Sequence, residues 1–171
     1  MAGKSKPKVG VIMGSDSDWP NMQKCCELLK TFDIPCEVRI SSAHRTPDET
    51  ADYARTARQR GLKVIIAAAG MSAHLAGVIA AHTTLPVIGV PMASGSLQGV
   101  DALLSTVQMP LGVPVAAVGI GSTGAQNAAL LAAQILALND DALTKKLIQF
   151  KADQAQIVKT KNEKLQAELE P

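Results

Sequence analysis

A histidine followed directly by an arginine, His44-Arg45, stands within the polar run Ser42-Ala-His-Arg-Thr-Pro47. Two further runs, Gly14-Ser-Asp-Ser-Asp18 and Gly70-Met-Ser-Ala-His-Leu75, carry hydroxyls, carboxylates and a second histidine. Histidine changes charge nearest neutrality, so His44 suits a general acid and base; the other reading is a structural imidazole. Arg45 supplies a fixed cation of the shape a phosphate needs, or else a surface ion pair. Ser15 and Ser17 add hydroxyl donors, and a helix starting after them would add free N–H groups and a favourable dipole for an anion. Asp16 and Asp18 would repel a phosphate; a carboxylate there suits ribose hydroxyls or a helix cap. A plain capped turn accounts for the same four residues. His74 could equally cap the helix that follows it, and His82 reads as a helix C-terminal residue satisfying the dipole.

These runs matter together only if the fold brings them together. Residues 8–14 form a short apolar run ending in Gly, the pattern of a strand buried on both faces. A helix is predicted over 18–32, with Met22, Cys25, Cys26 and Leu29 on one face and Pro20 in its first turn. Residues 36–42 read as a second strand. Thr46-Pro-Asp-Glu49 reads as a capping box opening a helix to Arg60, stopped by Gly61. Strands at 63–69, 86–90 and 113–120 alternate with helices at 73–81, 100–108 and 124–138. From 140 to 170 the chain is polar, helical in propensity and free of Gly and Pro. Alternation of this kind implies a parallel sheet covered on both faces, because parallel strands need crossovers. The expected architecture is a three-layer, doubly wound, flavodoxin-like α/β domain with a five-stranded sheet and a long C-terminal helix. It forms one domain over 1–171, with a core at 8–139 and a helical extension at 140–171. The three polar runs then follow strands one, two and three, on the edge where such folds bind ligands.

Composition narrows the function further. Aromatics make up 2% of the 171 residues, too few for stacking on single-stranded nucleic acid, and a net charge of +2 offers no basic footprint. Nucleic acid is therefore not expected as a partner. Residues 64–81 hold no Asp, Glu, Lys or Arg, but Gly70, Ser72, His74 and Gly77 within them favour a buried strand, loop and helix over a membrane span. The short basic start, residues 1–8, runs straight into a strand and reads as no secretory signal, which points to the cytoplasm. Cys25, Cys26 and Cys36 have no metal spacing and read as small buried thiols in a reducing compartment. No cluster resembling a metal site stands out.

Gly119-Ile-Gly-Ser-Thr-Gly124 spells G-x-G-x-x-G between a strand and a helix. A dinucleotide site needs a further strand ending in an acidic residue about 20 positions on. A second helix follows instead, so these glycines read as a tight turn near a phosphate or as close packing.

Several long motifs in order resemble class I N5-carboxyaminoimidazole ribonucleotide (N5-CAIR) mutases, the catalytic subunit of bacterial phosphoribosylaminoimidazole carboxylase. They are Val9-Gly-Val-Ile-Met-Gly-Ser-Asp-Ser-Asp-Trp19, Ser42-Ala-His-Arg-Thr-Pro-Asp48, Leu85-Pro-Val-Ile-Gly-Val-Pro91, Leu103-Leu-Ser-Thr-Val-Gln-Met-Pro110 and Asn127-Ala-Ala-Leu-Leu-Ala-Ala-Gln-Ile-Leu136. The resemblance implies a step of purine biosynthesis without cofactor or metal, in which the carboxyl of N5-CAIR moves to a ring carbon to give CAIR. It implies that His44 protonates the carbamate nitrogen, that CO2 is released and held, and that the same His44 then removes the ring proton. It places Ser15, Asp18 and Arg45 at the nucleotide, with Ser17 and Ser42 assisting, and Gly70 and His74 in the loop enclosing the base and CO2. It also implies a homo-octamer with shared active sites, and a functional link to an ATP-dependent N5-CAIR synthetase. Apolar residues at helical spacing in the tail (Leu143, Leu147, Ile148, Ile157, Val158 and Leu165) fit such association, either across a neighbour or folded back on the same chain.

The chain departs from the family in one loop. Gly70-Met-Ser-Ala-His-Leu-Ala-Gly77 replaces the common Gly-Gly-Ala-Ala-His-Leu-Pro-Gly, so Met71 and Ser72 bring side chains where that form has little. Class II relatives, which use AIR and CO2 directly, typically have Lys where this chain has Arg45. Two other classes share the architecture. An FMN-binding module would need rings to sandwich the flavin, and a receiver domain would need a Lys after strand five, which 113–121 lacks.

Overall fold

The computed structural model describes residues 6–169. The reading of the amino terminus rests partly on residues 1–5 and the end of the C-terminal helix on 170, outside that range. The strands are β1 (Val9–Met13), β2 (Cys36–Ile40), β3 (Val64–Gly70), β4 (Val87–Met92) and β5 (Ala116–Ala117). The helices are α1 (Trp19–Thr31), α2 (Pro47–Arg60), α3 (Leu75–Ala81), α4 (Val100–Val107), α5 (Gly121–Ala137) and α6 (Asp141–Leu169). The sheet is parallel, in the order β2-β1-β3-β4-β5. The doubly wound, flavodoxin-like class expected from the alternation is the one found.

β1, β3 and β4 are apolar without alternation because both their faces are covered. Ile12, Ile65, Ala67 and Val87 pack in one cluster with Tyr53, Ala54 and Ala57 of α2 and Leu75 and Ile79 of α3. The intervening Val9, Val11, Met13, Val64 and Ile66 are also fully or almost fully buried, so the opposite face is closed as well. β2 is the edge strand, and its Val38 and Ile40 are 46% and 54% exposed. Met22, Cys25 and Leu29 form the buried stripe of α1, while Cys26 lies only half-buried beside it.

Two local expectations change. Strand five shrinks from 113–120 to Ala116–Ala117, paired with Ile88 and Gly89. It lies at the other sheet edge, and Pro114 lacks the N–H a ladder requires. The capping box at Thr46 does not form: its side chain makes no cap hydrogen bond. The Thr46 hydroxyl turns back instead, accepting from the Ser42 N–H at 3.0 Å, while Glu49 lies 3.7 Å from Arg39.

The chain divides into two compact units, one ending at Ile135 and the other beginning at Leu136, inside α5. In the second, the Asp140 carboxylate accepts from the Leu143 N–H at 3.0 Å and opens α6. Ile148, Ile157, Val158 and Leu165 along α6 are between 46% and 66% exposed.

Candidate active site

In the order β2-β1-β3, the chain moves outward from β1 to β2 and then crosses to the other side of β1. The loops after these three strands therefore flank the switch point, where an open parallel sheet leaves a crevice.

The first loop begins at Gly14. Ser15 is extended and caps a 3-10 turn, Asp16–Asp18. Its Oγ accepts from the Ser17 N–H at 3.3 Å and from the Ser17 hydroxyl at 2.9 Å. Asp18 stands at the N-cap of α1 but makes no cap hydrogen bond, so the capping reading falls away. Asp18 as a whole is 8% exposed. Burial holds it above the ordinary carboxylate range, opposed by a backbone hydrogen bond at Ser15 and aided by the charge of Asp16.

The second loop is a closed knot. The Thr46 N–H donates to the Ser42 carbonyl at 2.9 Å, and the Arg45 N–H donates to the Ser42 hydroxyl at 3.2 Å. With the backbone so fixed, His44 and Arg45 face outward. Arg45 reaches across to the first loop, donating to the Gly14 carbonyl at 3.2 Å, and its Nε donates to the Ser42 hydroxyl at 3.4 Å. These contacts of the guanidinium go to neutral oxygens, which leaves its charge for an anion.

The third loop starts where β3 ends. A Cβ on Gly70 would collide with the Ser94 hydroxyl, which would have to turn aside, and would lie 3.3 Å from the Met92 carbonyl. Met71 takes a left-handed φ of 55° and points to solvent, 61% exposed. His74 sits at the N-cap of α3 without a side-chain cap bond. Its Nδ1 instead lies 2.8 Å from Nε2 of His44, the rings edge to face at 88° with centroids 5.0 Å apart. His82 closes the other end of α3, as expected.

The second loop thus ties the other two together, through Arg45 to Gly14 and through His44 to His74. Ser94 was not singled out by sequence. Its hydroxyl is buried without a protein partner behind Gly70, and the signal for it is position alone, just past β4. Among the described residues no three His, Cys, Asp or Glu side chains gather to hold a metal ion. A cleft of about 450 Å³ lined by Arg55, Arg58, Ala81, His82, Thr83 and Thr84 lies at the C-terminal end of α3, away from these loops. Helix carbonyls there disfavour an anion, and Arg55 is held by Asp52 at 2.7 Å. The G-x-G-x-x-G run is packed shut: a Cβ on Gly124 would run into the Gly119 carbonyl.

Fold and loops together define a doubly wound α/β protein with a candidate small-molecule site at the switch point of its sheet. A profile of the AIR carboxylase family matches residues 8–167, and the chain belongs to that family. It is 54% identical over 160 residues to the N5-carboxyaminoimidazole ribonucleotide mutase of Bacillus subtilis, covering 94% of this chain and 99% of that one. The Mycobacterium tuberculosis protein of the same name is 55% identical over 161 residues, covering 94% and 91%. Among solved structures, Treponema denticola PurE superposes with a TM-score of 0.83 at 32% identity, covering 93% of this chain and 98% of that one. No helix among the described residues is long and apolar enough to cross a membrane.

Proposed function

We propose that this protein is a class I N5-CAIR mutase, an isomerase that converts N5-CAIR to CAIR in purine biosynthesis with no cofactor. The observation that carries this reading is a single histidine, His44, held at the junction of three ligand-type loops, in a chain 54% identical to a mutase along almost its full length. Arg45, Ser15 and Ser17 hold the phosphate, Asp18 accepts from ribose hydroxyls, and Ser42 fixes Arg45. The His44 proton goes to the carbamate nitrogen as the N–C bond breaks and CO2 departs. Gly70 and His74 enclose the CO2 beside the ring. The ring carbon then attacks it, and the neutral His44 takes the ring proton, returning to its starting state. One group acting as acid and then as base completes the cycle, so no second titrating residue is required.

Arg45 in place of Lys favours N5-CAIR over AIR and CO2 as substrate. The protein works in the cytoplasm as a homo-octamer, downstream of an ATP-dependent N5-CAIR synthetase. The test offers purified protein N5-CAIR, or AIR with bicarbonate, and follows CAIR without ATP or metal. N5-CAIR should turn over and AIR should react poorly. Efficient use of AIR and CO2 with no activity on N5-CAIR would sink the assignment.

A further inference from the structure

The chain holds six methionines, of which Met1 lies outside the described residues. The other five differ sharply in access. Met13, Met22 and Met92 are buried in the core, and the Met92 sulfur also accepts from the Asn21 side-chain amide at 3.8 Å. Met109 is half-buried, its sulfur lying against α3, 3.2 Å from where a Cβ on Gly77 would stand. Met71 alone among the described methionines is exposed, at 61%. It directly follows Gly70, where β3 ends, and stands three residues before His74, whose ring meets that of His44. Its φ of 55° is a conformation that suits glycine better than a residue with a side chain. A thioether has no proton to lose, so access rather than acidity decides which methionine an oxidant reaches.

We propose that Met71 is an oxidation site at the edge of the candidate active site: hydrogen peroxide converts its thioether to the sulfoxide, and the altered loop binds substrate more weakly. The first half stands on the burial of the methionines; the second rests on the mutase reading. A sulfur lone pair attacks one peroxide oxygen. The S–O bond forms as the O–O bond breaks, and the departing hydroxide takes up a proton to leave as water. Sulfur is oxidised by two electrons and the peroxide is reduced by two. The product places a polar, hydrogen-bond-accepting group where an apolar one stood, on the loop that the mutase reading assigns to the base and CO2. A hydrated sulfoxide there disfavours closing that loop over an apolar CO2 molecule.

The test treats the full-length protein, as it assembles, with hydrogen peroxide, maps oxygen uptake by peptide mass and follows turnover of N5-CAIR in parallel. The Met71 peptide should gain one oxygen before that of Met109, and well before those of Met13, Met22 and Met92. Methionine sulfoxide reductases should remove it. KM for N5-CAIR should rise roughly three- to tenfold, the scale of one modest polar interaction, and return on reduction. Met71→Gly suits the left-handed backbone; it should take up no oxygen at this position and keep its own KM through the same treatment. Because both proteins carry the same three cysteines, the variant also controls for thiol oxidation. An equal rise of KM in Met71→Gly, or an unchanged KM in the oxidised parent, would overturn the effect on binding. Met71 left intact while a buried methionine gains oxygen, as when a neighbouring subunit covers it, would overturn the site itself. A parent inactive on N5-CAIR would fault the mutase reading and the second half with it, while the mass result still decides the first.

Discussion

His44 Nε2 and His74 Nδ1 lie 2.8 Å apart, although 30 residues separate them in the chain. At that distance one ring donates and the other accepts, so the tautomers of the two histidines are linked. His44→Asn should bind nucleotide nearly normally while turnover falls by more than the roughly 10²–10⁴-fold typical of one acid–base step. His74→Asn keeps an amide able to hydrogen-bond and should lose less; His74→Leu, which keeps none, should lose more than the amide variant. Steady-state kinetics with N5-CAIR separates the three. Parent-like activity in His44→Asn would mean the proton donor lies elsewhere.

Asp18 should trade stability for binding. Its native carboxyl is raised by burial, so the folded protein holds that proton more readily than the unfolded chain. The associated stability is fully present below the ordinary carboxylate range and is lost as pH rises through the native value. Asp18→Asn should therefore melt higher than the parent at neutral pH, with the gap closing as the solution is acidified through that range. Losing a charge-assisted hydrogen bond to the ribose should raise KM by roughly 10–100-fold. An unchanged KM would remove Asp18 from the nucleotide site.

Gly124 is a test of why the glycine-rich run exists. An added methyl would meet backbone, the Gly119 carbonyl, and backbone yields less readily than a side chain. Gly124→Ala should cost about 3 kcal/mol and lower the melting temperature by roughly 5–10 °C. Adding NAD should leave the parent's melting curve where it was. A stabilising dinucleotide would reverse the reading of this run as packing.

The apolar positions of α6 give assembly a measurable form. Ile148, Ile157, Val158 and Leu165 are exposed on the single chain, more apolar surface than one solvated helix needs. Light scattering of the parent should give the mass of an octamer, and truncation after Asn139 should weaken assembly and activity together. A fully active monomer would refute the shared-site arrangement.

Much of the fold was legible because its signals are local. Gly61 takes a φ of 100° to end α2 as its type suggests, and the unbroken apolar runs of β1 and β4 mark buried strands without any partner being known. The misreadings came where two local choices competed. Thr46 had both a helix to cap and a Ser42 loop to close, and closing the loop brought Arg45 and His44 into position. Pro114 left β5 with too few donors for the length its apolar residues suggest. Each histidine was visible as a candidate, yet their pairing depends on β2 and β3 flanking β1, and nothing local to either run records that neighbourhood.

Trp19 is the sole tryptophan, and it follows Asp18 directly at the start of α1, 38% exposed. Tyr53 is the only tyrosine and is buried in the core, so ultraviolet emission from this chain is in effect the emission of one indole beside the loop after β1. The protein thus carries its own optical reporter. Ligand occupancy, loop rearrangement and the contact of a neighbouring subunit at that corner should each register in its intensity or colour, with no label attached.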